Sequence, residues 1–174
     1  MAENSSNEAG PINFGQRLAN SQAFSALFRE GMALVEETAS YLDGPGRQES
    51  KRLERNIALA YATESMRLTT RLMQLASWLL LHRAVNEGEM SLAQANKEKI
   101  KVKLSGSEPG EEEIIKRLPE RLQDLIERSR ALQAKVRRLD ATIHATAEEP
   151  QQTSNPLESQ LGLLKAAFEH RGGS

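Results

Sequence analysis

From Glu49 to Asn86 the chain contains neither proline nor glycine. A stretch this long without a breaker can form one continuous helix, and at about 1.5 Å per residue it reaches roughly 55 to 60 Å. Turning each residue by about 100° puts Ile57, Tyr61, Leu68, Leu72, Leu75 and Leu79 on one stripe. Leu59, Met66, Met73 and Leu80 fall on a second stripe, with Ser65, Thr69 and Ala76 between the two. Apolar surface over about half the circumference is expected to seat two neighbouring helices, making this the central helix of a bundle.

The flanking sequence supplies those neighbours. From Ser21, a suitable N-cap, apolar residues recur at Phe24, Phe28, Met32, Val35, Ala39 and Leu42, widened by Leu27, Leu34 and Tyr41. Beyond Pro119, the residues Leu122, Leu125, Ser129, Leu132, Val136, Leu139 and Ile143 alternate three and four apart and define a third helix. The apolar residues are mostly Leu and Ala, and aromatics make up only 4% of the chain, which favours helices over sheets. The expected fold is all-α, an antiparallel three-helix bundle over residues 21–146. A flexible arm over 1–20 precedes it, and a linker with a short amphipathic segment over 147–174 follows.

The connections carry their own signals. In Asp43-Gly44-Pro45-Gly46-Arg47, a glycine pair beside an arginine raises the choice between an anion-binding loop and a helix corner. A phosphate-cradling loop needs a preceding strand and a following Lys-Ser or Lys-Thr, and neither is present. The corner reading therefore prevails, with Gly44 as a left-handed helix terminator and Pro45 forbidding continuation. Gly88 ends the central helix, Ser91 to Gln94 has the spacing of a capping box, and Lys97 to Gly110 reads as a polar surface connection. Within that connection, the alternation Lys99 to Leu104 reads as a solvated basic loop rather than an edge strand or a nucleic-acid contact.

Catalytic or ligand-binding chemistry finds little support. With no cysteine, thiolate metal sites and cysteine nucleophiles are excluded, and His82, His144 and His170 are scattered. No nucleophile is spaced against a base, so an enzyme is not expected, nor is a cofactor or a metal. A net charge of −1 gives no reason to expect duplex DNA, so nucleic acid is an unlikely partner. No signal peptide or membrane-spanning run is visible, and a soluble, cytoplasmic protein is expected.

What remains is surface. Glu64, Arg67, Arg71 and Gln74 share a narrow strip of the central helix, with Trp78 adjoining. The strip is either a solvated face or a protein-binding surface, the latter because Arg and Trp favour interface hot spots. Leu161, Leu164 and Phe168 line one face of the C-terminal segment, which either packs back on the bundle or docks into a partner.

At "LFREGMALVEETASYLDGPGR" and "LAYATESMRLTTRLMQLASWLLLHRAVNEGEM", and more weakly through "LPERLQDLIERSRALQAKVRRLD", the sequence resembles the alphaproteobacterial RcdA family, regulators of CtrA degradation. The resemblance covers about residues 24–140. It implies a dimerising three-helix bundle that acts as an adaptor for the AAA+ protease ClpXP. Such adaptors bring cell-cycle regulators to the protease and work with partner adaptors such as the response-regulator-like CpdR and the cyclic-di-GMP-binding PopA. Asp43, Arg47, Glu64, Arg67 and Arg71 fall in the matching blocks, and with Gln74, Trp78, Leu161, Leu164 and Phe168 they form the expected interaction set.

Overall fold

A computed structural model describes residues 22–101 and 111–148. The expected arm over 1–20, the Ser21 cap and the C-terminal segment lie outside the described residues. The fold is all-α. In chain order the described helices are α1 (Gln22–Asp43), α2 (Pro45–Ser50), α3 (Arg55–Asn86), α4 (Leu92–Lys101), α5 (Glu112–Ile115) and α6 (Glu120–Glu148).

The three long helices α1, α3 and α6 pack pairwise around one core. Helix α1 buries Phe24, Leu27, Gly31, Leu34, Thr38 and Tyr41, a strict alternation of three and four. Its core stripe is thus rotated from the expected one: Phe28, Met32 and Val35 are half-buried at its edge and Ala39 is exposed. At Gly31 the helices come close enough that an added Cβ would stand 2.5 Å from the Leu79 side chain, and Leu34 and Tyr41 on the same stripe are fully enclosed. Helix α6 buries Leu122, Leu125, Ser129, Leu132, Val136 and Ile143 as its spacing foretells, with Ile126 added.

One aspect of the expected topology needs correction. Helix α1 runs antiparallel to both partners: Glu37 pairs with Arg128 at 2.8 Å and Glu30 with Lys135 at 2.9 Å. Helices α3 and α6, however, run in the same direction. Just ahead of them Glu54 pairs with Arg117, midway Arg71 meets Ser129, and further on Trp78 meets Asp140. A long connection makes this possible, because parallel neighbours need a crossover where antiparallel ones need only a turn. Helix α4 lies beside the end of α3, and α5 lies beside its beginning.

The Gly-Pro-Gly corner also differs in detail. Gly44 is not left-handed (φ −117°), and residues 45–50 form the separate short helix α2, so the long helix starts at Arg55 rather than near Glu49. Gly46 is the glycine the corner demands. A Cβ there would stand 2.8 Å from the Tyr41 carbonyl oxygen and 2.6 Å from the Tyr61 hydroxyl, because the chain turns directly against the core. At the other end of α3, Gly88 has φ +74°, as a glycine past a helix end should.

The capping box at α4 forms as spaced. The Gln94 N–H donates to Ser91 Oγ (3.2 Å), and the Ser91 N–H donates to Gln94 Oε1 (3.1 Å). This helix continues to Lys101, into residues expected to be loop. Tertiary contact extends it: Ala95 is buried, and Lys99 reaches Asp140 on α6 at 2.5 Å. Lys99 is accordingly half-buried rather than part of a solvated basic loop.

Candidate interaction surface

Helix α3 presents two faces of opposite fate. The first stripe, Ile57, Tyr61, Leu68, Leu72, Leu75 and Leu79, is buried against α1 and α6. The second stripe is not covered: Leu59, Met66, Met73 and Leu80 are 70%, 72%, 66% and 53% exposed. The expectation that it seats another helix of the same chain fails among the described residues, because α1 and α6 both pack on the opposite half of α3.

The Glu64 to Trp78 strip divides in the same way. Glu64, Arg71 and Trp78 turn into the seam with α6, while Arg67 and Gln74 stay at its rim. Glu64 is held by Arg67 at 2.7 Å. The Arg71 guanidinium donates to Ser129 Oγ (2.8 Å), and that hydroxyl donates to the Ile126 carbonyl (2.7 Å), so the one polar residue in the α6 stripe has a partner on each side. Burial and the nearby charges of Arg130, Arg137 and Arg67 lower the Arg71 pKa, against Glu64, which favours the cation. The guanidinium nonetheless stays charged.

Trp78, expected in the interaction set, is instead part of the core, being 1% exposed. Its Nε1–H donates to Asp140 Oδ1 (2.8 Å), and its ring packs 4.1 Å from that of His82 and 6.4 Å from that of Phe24. Asp140 also binds Lys99, whose ammonium lies 3.4 Å from His144 Nε2. One carboxylate thus joins α3, α4 and α6. His82 sits beneath this cluster, buried, and desolvation drops its pKa to about 4 despite the pull of Asp140. Sequence gave no signal for this cluster, since Trp78, Lys99 and Asp140 follow no motif.

At the corner, Asp43 and Arg47 face each other at 3.8 Å, both largely exposed. That distance in water contributes little to stability and leaves both groups open to a partner. Leu161, Leu164 and Phe168 lie outside the described residues. No group of three or more His, Asp or Glu among the described residues is placed to hold a metal ion.

These features define an all-α protein whose chemistry lies on helix faces and shallow grooves. The chain belongs to the RcdA family. A family described as "Protein of unknown function (DUF1465)" matches residues 15–168. The crystal structure of RcdA from Caulobacter crescentus CB15 is similar at 52% sequence identity, covering 74% of this chain and 96% of that one, with a TM-score of 0.61. No curated protein matches the chain.

Proposed function

We propose that this protein is a non-enzymatic adaptor that tethers selected cell-cycle regulators to the AAA+ protease ClpXP, in company with partner adaptors. The observation that carries the reading is the 52% identity to RcdA over nearly the whole length of that protein. The mechanism is effective concentration: a rigid platform holding cargo near the unfoldase makes capture intramolecular, so contacts that are weak alone suffice together. Asp43 and Arg47 at the corner and Arg67 and Gln74 at the seam rim are the described residues available for such contacts. Leu161, Leu164 and Phe168 would supply a second docking element. Such an adaptor would act in the cytoplasm; no described helix is long and apolar enough to cross a membrane.

The open stripe supports self-association as the second part of the reading. Leu59, Met66, Met73 and Leu80 repeat every seven residues, the period that lets two helices stay in register along a left-handed supercoil. The same stripe on a second copy is self-complementary about a two-fold axis. It also favours the alternative of a purely structural helical dimer without protease delivery.

Reconstituted degradation separates the two. A cell-cycle regulator, ClpXP and its primed adaptors are combined with and without this protein, with Arg67→Glu, and with residues 150–174 removed. Accelerated degradation by the parent and its loss in a variant supports delivery. An unchanged rate with the parent across the regulators tried leaves only the structural dimer. Arg71 is unsuited to this test, because it is buried and its reversal would probe folding.

A further inference from the structure

Two shallow cavities meet along α3. One, of about 340 Å³, lies over the α3–α6 seam between Arg67, Arg71, Gln74 and Gln133. The other, of about 320 Å³, lies between α3 and α5 and is walled by Leu59, Ala60, Ile114 and Ile115. Thr63 and Arg67 line both, so they form one groove from Asn56 to Gln74. At 1.5 Å per helical residue it is roughly 27 Å long, room for about eight residues of extended chain at 3.3 Å each.

Its two ends differ chemically. The α5 end carries the apolar side chains of Leu59, Ala60, Ile114 and Ile115, with the carboxylates of Glu64 and Glu111 also in its wall. The seam end is cationic: Arg67 and Arg71 stand in the wall, and Arg130 and Arg137 are close enough for their charges to act on Arg71. Glu64, already bound by Arg67, is the acid that acts on this group. Amide side chains of Gln74 and Gln133 and the hydroxyl of Thr70 add neutral hydrogen-bonding groups.

We infer that this groove binds an acidic peptide segment of a partner protein, with an aliphatic side chain against Ala60, Ile114 and Ile115 and one or two carboxylates at Arg67, where the charges of Arg71 and Arg130 add to the attraction. The centres of the two halves are separated by about nine helical residues, roughly 13 Å, so the anchor and the first carboxylate lie about four residues apart in the peptide. Charge complementarity fixes the orientation, because Glu111 repels an acid at the apolar end while the arginines attract it at the other. The inference rests on the adaptor reading only in taking the peptide to be cargo or a partner adaptor.

The test is fluorescence anisotropy on the full chain with a labelled peptide, Ala-Leu-Ala-Ala-Ala-Asp-Glu-Ala, in its acidic form and as the Asn-Gln analogue. The acidic peptide should bind at least about tenfold more tightly, with the difference shrinking as salt rises. Arg67→Gln combined with Arg130→Gln, both at incompletely buried positions, should remove about tenfold of that affinity while leaving helical content and oligomeric state unchanged. Equal binding of the two peptides, parent-like binding by the double variant, or equal competition by a single-stranded oligonucleotide of the same charge would each overturn the proposal. So would a dimer that blocks the peptide until Met73→Lys, on the open stripe but outside the groove, frees it, since a second copy would then be the groove's occupant. Binding needs no protease: peptide capture without stimulated degradation fails the adaptor reading alone, and stimulated degradation without peptide capture fails the groove alone.

Discussion

His82 makes stability fall on mild acidification, and by an amount the structure sets. The imidazole is 2% exposed, its Nδ1 has no hydrogen-bond partner among the described residues, and it packs against the Trp78 ring. Desolvation lowers its pKa from 6.5 to about 4; Asp140 opposes the fall, while Lys99 and His144 add to it. The unfolded chain therefore takes up a proton near pH 6.5 that the folded chain refuses until about pH 4. Above pH 7 this group costs nothing, and stability is lost as pH falls through the window between the two values. At roughly 1.4 kcal/mol per pH unit the full loss is about 3 kcal/mol, of which about 2 kcal/mol has gone by pH 5. His82→Phe keeps a ring against Trp78 and removes the titration. Urea unfolding of parent and variant at pH 7, 6 and 5, at one protein concentration because self-association would contribute, measures the difference. Carboxylate pairs such as Glu37 with Arg128 affect both proteins alike and cancel. The variant should lose about 2 kcal/mol less than the parent between pH 7 and pH 5. Equal losses would show that His82 titrates normally in the folded protein, and the reasoning from burial would fail.

The corner, the cluster and the stripe give three further outcomes. Gly46→Ala should destabilise by about 1–3 kcal/mol, measured by urea unfolding, because the added methyl meets the Tyr41 carbonyl oxygen, which is backbone and cannot swing aside. Trp78→Phe should cost roughly 1–3 kcal/mol through the lost bond to Asp140 and lost packing, with added amide exchange in α4, which the same carboxylate holds through Lys99. Met66→Lys with Met73→Lys should make the protein monomeric in sedimentation if the proposed stripe pairs two copies, without lowering the monomer's helical content, since both positions are exposed and like charges repel in either helix orientation. An unaltered oligomeric state would move the self-association surface elsewhere.

Much of the fold was readable along the chain because helix formation is governed locally. Gly88, the Ser91 and Gln94 box and the alternation from Leu122 to Ile143 each act within a few residues and appear in the structure where their spacing put them, while the span without breakers becomes one helix only from Arg55. Contacts between distant residues lay beyond such reading. Lys99 belongs to a helix because Asp140, 41 residues away, binds it. Trp78 is buried because α6 brings Asp140 to its indole.

Sequence by itself determined an all-α chain with one dominant helix carrying two apolar stripes, and the blocks that mark its family. The tertiary structure decided which stripe became core and that α3 and α6 run the same way. It also decided that the Glu64 to Trp78 strip splits between a buried seam and a cationic rim. The physical reason is that a helix's periodicity specifies its faces but not its neighbours. Which face is covered depends on how the other helices cross it, and that is set by long connections and by pairings such as Arg71 with Ser129 that no local spacing encodes.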